Sequence, residues 1–154
     1  MENKLNISFT GEYHNSLDQK NRLNIPAKFR KALNPINDKT FVLTRGFDPC
    51  LILYPLNDWR QVELQLGKLS SIKNKNRNFV RSITRYATTV QYDAQGRIQI
   101  SDTLMQYSNI DKDAIVIGLI NKIEIWAPSM LSNQDLDNNL NNENFDDLAN
   151  EINF

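Results

Sequence analysis

The sequence has one cysteine, one histidine and five glycines among its 154 residues, and each scarcity argues against a class of function. The lone Cys50 has no partner for a disulfide within the chain, which favours a reducing compartment and a small buried thiol. Cys50 and His14 are far apart in sequence, so no cluster has the ligand spacing of a zinc site. The glycines form no phosphate-binding loop. We therefore expect no catalytic residue, metal site, cofactor or small-molecule substrate.

Long apolar runs are also missing. No stretch approaches the ~20 residues of a membrane helix, and the first residues lack the basic flank, apolar segment and cleavage site of a secretory signal. The composition, with 40% hydrophobic and 23% charged residues, is ordinary for a soluble domain. We expect a cytoplasmic protein without membrane contact, built as one compact unit or as two small repeats that share a core.

Charge is balanced overall but divided unevenly along the chain. Residues 1–97 hold 16 Lys and Arg against 8 Asp and Glu, whereas residues 98–154 hold 2 against 10. This polarity indicates a body that binds a polyanion and an acidic tail.

One sequence frame, apolar-Asp-x-x-x-Arg-apolar-x-Ile, occurs twice. Its first copy contains Asp18 and Arg22, and its second copy, 75 residues later, contains Asp93 and Arg97. Later glycine and aromatic markers recur at a spacing of 72, so three residues are lost between copies. This spacing favours two diverged copies of a β-turn-β-α-β-β unit, an α+β fold that is mainly β.

Hydrophobic periodicity and turn residues predict the individual elements. The predicted strands cover residues 7–17, 22–25, 41–46, 50–55, 88–93, 97–101, 114–119 and 122–127. The predicted helices cover residues 26–33, 57–69, 74–87, 102–108 and 128–131. Ser101 is expected to cap one helix, and an apolar stripe at Trp59, Val62, Leu66 and Leu69 is expected to face the core from another.

The repeated motif has a structural and a functional interpretation. An Asp can accept hydrogen bonds from turn amides and hold a nearby Arg, which explains a single copy. The occurrence of two copies favours a function. In both copies the residue directly before the arginine, Asn21 or Gly96, tolerates the positive φ of a tight turn. We predict that Arg22 and Arg97 project from the tips of two β-ribbons as preorganised forks for guanine edges or phosphate.

Other basic residues extend this candidate site. The predicted DNA-binding side chains are Lys20, Arg22, Lys28, Arg30 and Arg97, and the residues that support them are Asp18, Asn21, Asp93 and Gly96. Because only Arg97 is basic around the second copy, we expect the two halves to contribute unequally to affinity. Arg77, Arg81 and Arg85 form a helical stripe that fits a secondary DNA contact or a solvated helix face equally well.

Four stretches in order, "SLDQKNRLNIPAKF", "LTRGFDPCLILYPLNDW", "YATTVQYDAQGRIQI" and "VIGLINKIEIWAP", resemble the successive motifs of the MraZ family over about residues 9–131. The resemblance implies two pseudo-symmetric AbrB-like halves that swap hairpins around one β-barrel-like core with short helices. It also implies a ring-shaped homo-oligomer that binds direct repeats of double-stranded DNA upstream of the bacterial division and cell-wall gene cluster. The family's DNA-reading motif falls on Asp18, Lys20 and Arg22, and its second copy on Asp93, Gly96 and Arg97. Asn21 replaces a usual Gly, and Ser101 replaces a Pro that often follows the second motif.

The resulting organisation has five parts: an N-terminal extension at 1–8, a first half at 9–60, a helical connector at 61–87, a second half at 88–131 and an acidic, Asn-rich tail at 132–154. Disorder is the default expectation for such a tail. Phe145, Leu148, Ala149 and Ile152 nevertheless share a helical stripe that suits a short docking helix.

The leading functional interpretation is a sequence-specific, non-enzymatic DNA-binding regulator that is associated with the nucleoid. The alternative is a protein–protein assembly or antitoxin-like module that uses the same arginine ribbons to bind acidic partners.

Overall fold

The computed structural model describes residues 8–137 and 142–152. Its strands are β1 Phe9–Ser16, β2 Arg22–Asn24, β3 Thr40–Arg45, β4 Leu51–Pro55, β5 Thr88–Gln91, β6 Arg97–Gln99, β7 Asp113–Ile120 and β8 Ile123–Trp126. Its helices are α1 Ala27–Ala32, α2 Leu56–Gly67, α3 Asn74–Thr84, α4 Asp102–Ser108, α5 Pro128–Asp137 and α6 Asn142–Glu151, with a 3-10 turn at Pro35–Asn37. All eight predicted strands are confirmed, with small differences at their ends.

The strands pair between the two halves of the chain. Six of them form one antiparallel sheet in the order β1-β7-β8-β4-β3-β5, and β2 and β6 form a separate two-stranded ribbon. The first strand of each half pairs with the other half, since β1 joins β7 and β5 joins β3. If each strand is replaced by its equivalent in the other half, the same strand order is obtained, written from the opposite edge of the sheet. The pattern confirms an α+β fold of two pseudo-symmetric, strand-swapped halves.

The core lies between an open sheet and the ribbon that covers it. In the described chain, β1 and β5 are the outer strands of the six-stranded sheet, which is therefore open. The core is covered by the ribbon, whose Leu23 and Ile98 are fully buried and join the largest apolar cluster. A second layer lying on the sheet thus removes the core from water without closure of the sheet on itself.

The two faces of the sheet carry different helices. Successive strand residues point to opposite faces, and β3 shows this clearly. Phe41 and Leu43 belong to the same cluster as the ribbon, whereas Val42 packs with Trp59 of α2 and Ile83 of α3. The ribbon therefore lies on one face of the sheet, and α2 and α3 lie on the other.

Helix α2 follows the predicted apolar stripe for three of its four positions. Trp59 is buried, and Val62 and Leu66 pack against its cluster. Leu69 is 39% exposed because the helix ends at Gly67, before this position. The stripe ends with the helix.

Short-range signals are confirmed at α4 and at the cysteine. Ser101 caps α4, since its Oγ accepts a hydrogen bond from the Leu104 N–H at 3.3 Å. Cys50 is fully buried beside Ile115 and Trp126. Burial, followed by the nearby Glu124 carboxylate, raises the pKa of its thiol.

The tail differs from the expected disorder wherever it is described. Helix α5 continues to Asp137, and Met130 and Leu131 of its first turn pack against the cluster of Cys50, Ile115 and Trp126. Helix α6 spans Asn142–Glu151. Of the stripe expected for a docking helix, Phe145, Leu148 and Ala149 fall on α6, and Ile152 follows directly after it. Residues 1–7 of the N-terminal extension, and residues 138–141 and 153–154 of the tail, lie outside the described residues.

Candidate nucleic-acid interface

The first copy of the motif forms a tight turn that its own aspartate organises. Asp18 Oδ1 accepts hydrogen bonds from the backbone N–H groups of Lys20 and Arg22, each at 2.9 Å. The Asn21 N–H donates to the Asp18 carbonyl at 3.0 Å, and Asn21 adopts a φ of 58°. Asparagine is among the few residues that accept this left-handed conformation readily. Asp18 and Asn21 therefore stand at these positions because they stabilise the backbone of the turn.

The second copy repeats the geometry of the first. Asp93 Oδ1 accepts from the N–H groups of Gln95 and Arg97, again at 2.9 Å each. Gly96 takes the position of the asparagine with a φ of 81°. A side chain there would also meet Arg30, whose guanidinium carbon and Nε lie 2.5 Å from the position of an added Cβ. Backbone conformation and close packing both favour glycine at this position.

The two turns meet on a single ribbon, which corrects the prediction of two separate ribbon tips. Arg22 of β2 lies opposite Gln99 of β6, and Asn24 lies opposite Arg97. These four residues alternate with buried ones, so they share the outer face of the ribbon. The two arginines come together because β2 pairs with β6 and not with its neighbour in sequence, β1.

Asp18 connects the two halves of this outer face. Its Oδ2 accepts from Arg22 Nε at 2.6 Å and lies 3.6 Å from Arg97 Nη1. Arg97 also contacts its own Asp93, with Nε and Nη2 both 3.0 Å from Oδ2. Arg22 uses only Nε in these contacts, and its terminal amino groups have no protein hydrogen bond within the described chain. The arginine–aspartate cluster therefore leaves Arg22 better able than Arg97 to bind an outside acceptor.

Both aspartates remain ionised well into acid. The N–H of Arg22 lowers the pKa of Asp18 below its ordinary value of 3.8, more than burial raises it. The N–H of Arg97 has the same effect on the pKa of Asp93. At neutral pH the cluster thus holds two positive and two negative charges. Its own net charge is zero.

Two amides link the turns, a contact that the sequence did not predict for either residue, although Gln99 stands out beside Arg97 as a neutral hydrogen-bonding side chain. Asn24 Nδ2 donates to the carbonyl of Gln95 at 2.8 Å, and Gln99 Nε2 donates to the carbonyl of Lys20. Each half thereby binds the turn of the other half. Asn24 and Gln99 are themselves 75 residues apart, so the repeat frame contained the signal that finds them.

The remaining basic candidates of the first half have different environments. Lys20 and Lys28 are exposed, and Lys28 Nζ lies 3.5 Å from the carbonyl of Thr10. Arg30 is half-buried, donates through Nε to the Ile25 carbonyl at 2.9 Å and packs over Gly96. In the structure Arg30 supports the second turn, a role that its positive charge did not indicate.

The basic stripe of α3 is separate from this cluster. Arg77, Arg81 and Arg85 are exposed on a helix that packs against the sheet face opposite the ribbon. Arg77 Nη1 donates to the carbonyls of Ser71 and Ile72 at 2.8 Å each, so it also fixes the segment before the helix. The stripe and the ribbon therefore lie on opposite faces of the sheet.

Within residues 8–137 and 142–152, no group of three or more His, Cys, Asp or Glu side chains is arranged to hold a metal ion. The same residues contain no helix that is both long and apolar enough to span a membrane.

Comparison with known proteins identifies one family. A family model described as "MraZ protein, putative antitoxin-like" matches twice in succession, at residues 8–82 and 83–151. A Pediococcus pentosaceus protein named Transcriptional regulator MraZ is 43% identical over 92% of this chain and 94% of its own length. Proteins of the same name from Clostridium tetani and Lactobacillus gasseri are 44% and 37% identical, over 77% and 94% of this chain and 81% and 96% of their own lengths.

Proposed function

The chain belongs to the MraZ family, and on that premise we propose that it is a transcriptional regulator that binds double-stranded DNA sequence-specifically and without enzymatic activity. One observation carries the proposal. The two arginines of a duplicated motif lie together on the outer face of one ribbon, each held by an aspartate. A two-stranded ribbon fits the major groove of B-DNA, where a fixed guanidinium can bind guanine O6 and N7 together.

Different residues account for the nonspecific attraction to phosphates and for the reading of bases. Because the arginine–aspartate cluster has no net charge, it supplies little of the nonspecific attraction to phosphates. That attraction comes from exposed lysines, Lys20 within the first turn and Lys28 on α1. Arg22, with its terminal amino groups open, is the principal base-reading residue, and Arg97, held by two carboxylates, has a smaller part.

The family suggests finer features of this function. The DNA targets are direct repeats upstream of the division and cell-wall gene cluster, and the protein acts as a ring-shaped homo-oligomer in the cytoplasm, at the nucleoid. Relatives that carry the regulator name over nearly their full lengths support the regulator role itself, and the finer features are part of the proposal.

A second function class follows from the antitoxin-like description of the family. In that case the same arginines would bind an acidic protein partner. DNA binding separates the two, because a module that only binds acidic proteins would form no specific complex with the upstream DNA.

The test is a mobility shift on the DNA upstream of the protein's own gene, at one fixed salt concentration. Arg22→Ala should weaken specific binding by about 1–3 kcal/mol per site, and Arg97→Ala by less. Lys75→Ala, on α3 and away from the ribbon, is the matched control and should change little. Absence of any specific complex with the unaltered protein would refute the proposal, and equal losses for Arg97 and Lys75 variants would refute the role of the ribbon.

A spacing experiment tests the contribution of the oligomer. Linked subunits that engage several repeats at once can raise apparent affinity by roughly 10²–10⁴ over a single repeat. Inserting ~5 base pairs turns one repeat away from the ring, whereas ~10.5 base pairs restore its facing. We expect strong loss at the half turn and partial recovery at the full turn. A single repeat that binds as tightly as the natural array would exclude this mechanism.

A further inference from the structure

Helix α6 has an apolar face that is largely exposed in the described part of the chain. Phe145 and Leu148 lie on one side of it, Ile152 follows directly after its last residue, and the three side chains are 59%, 55% and 70% exposed. At about 100° per residue, Asp146 and Glu151 lie on the two flanks of that face. A ten-residue helix is marginal in water without tertiary packing. The helix therefore has the form of a segment that docks on a partner.

A groove on the same molecule has matching properties. It lies between α2 and α3, has a volume of about 490 Å³, and includes Leu66, Leu69 and Val80 in its lining. Arg77 and Arg81 line the same groove and are exposed. Neither forms an ion pair with a carboxylate anywhere in residues 8–137 or 142–152. An apolar floor and unpaired cations are what an acidic amphipathic helix requires.

We propose that α6 of one subunit docks in the α2–α3 groove of a second copy of this chain. The apolar face of the helix would cover Leu69 and Val80, and its flanking acids would approach Arg77 and Arg81. A second copy is the occupant, because the described chain leaves its own α6 face exposed and its own groove open. The basic stripe of α3 is then an assembly surface and not a second DNA contact.

This inference rests on the self-association in the proposed function but not on DNA binding. A failure of α6 docking would leave oligomers of another geometry, and those would still shift DNA. A failure of DNA binding would leave the docking measurable. Crosslinking the protein in the absence of DNA therefore distinguishes the two outcomes.

Crosslinking between two differently tagged chains tests the docking. One chain carries Leu148→Cys, in the middle of the helix face, and the other carries Leu69→Cys, in the groove. Cys50 is fully buried and should not react. A short bismaleimide should crosslink the mixture into a mixed-tag dimer, whereas each chain alone should give little product. A product only within a single chain carrying both cysteines, or a Leu148→Cys homodimer without the groove variant, would overturn the proposal.

Charge reversal provides the second measurement. Arg81→Glu should lower the mixed crosslink yield about fivefold by repelling the acidic flanks. Lys75→Glu makes the same change on the opposite face of α3 and should leave the yield unchanged, which controls for folding and net charge. Placing Asp146→Lys and Glu151→Lys in the partner chain should restore the yield with Arg81→Glu. Equal effects of the two α3 variants, or no rescue, would exclude the groove as the docking surface.

Discussion

Replacing Gly96 by alanine tests whether the second turn holds its arginine by backbone geometry. Alanine at a φ of 81° costs about 1–2 kcal/mol relative to glycine. The new Cβ would lie 2.5 Å from the Arg30 guanidinium, which must move and lose its 2.9 Å hydrogen bond to the Ile25 carbonyl. A hydrogen bond of this kind contributes about 0.5–1.5 kcal/mol. We therefore expect Gly96→Ala to lower the free energy of unfolding by about 1.5–3.5 kcal/mol.

The assay is urea denaturation at one fixed protomer concentration, because self-association makes apparent stability depend on concentration. Asn21→Gly is the matched control, since it keeps the positive φ at the equivalent turn, and should stay within about 0.5 kcal/mol. In an Arg30→Ala background, Gly96→Ala should cost only the backbone part, about 1–2 kcal/mol. A loss below about 0.5 kcal/mol for Gly96→Ala would refute the argument that this turn requires glycine.

Three further predictions concern the turns, a helix cap and the thiol. Because contacts of the folded state lower the pKa of Asp18 and Asp93, their stabilising effect should be complete above the ordinary value of 3.8 and lost as pH falls through the lowered values. Carboxyl NMR titration should show both midpoints below 3.8, and a normal midpoint at either residue would contradict the turn geometry. Ser101→Ala should lower the free energy of unfolding by about 1 kcal/mol through loss of the cap on α4, measured by denaturation, and no change would mean that the cap is unimportant. Cys50 should be unreactive toward a thiol reagent in the native protein and react fully in denaturant, and rapid native labelling would contradict its burial.

The sequence was sufficient for elements whose signals are local. Strand alternation, the Ser101 cap and the β3–β4 hairpin depend on residues within a few positions of one another. The pairing of β1 with β7 joins residues about a hundred positions apart, and no local pattern specifies it. The swapped arrangement was expected only because the motifs resemble those of a known family.

In the candidate site, too, the contacts between residues close in sequence were predictable and those between the two halves were not. The contacts of Asp18 with Arg22 and of Asp93 with Arg97 follow from a spacing of four across a turn. The contact of Asp18 with Arg97 depends on the β2–β6 pairing, so it could not be derived from either copy alone. Arg30 was assigned to DNA because sequence shows charge but not the packing around it.

The duplicated motif depends on contacts between the two halves, which this chain brings together within one molecule. The turn of each half is bound by an amide of the other half, Asn24 for the second turn and Gln99 for the first. A separated half would leave its first strand without the partner that pairs with it here, and the buried ribbon residues without the opposite strand. The two copies differ in their ion pairs: Asp18 contacts both arginines, whereas Asp93 contacts only Arg97 in the described chain. The fold is therefore symmetric in its backbone, and the difference between Arg22 and Arg97 arises from which carboxylates hold them.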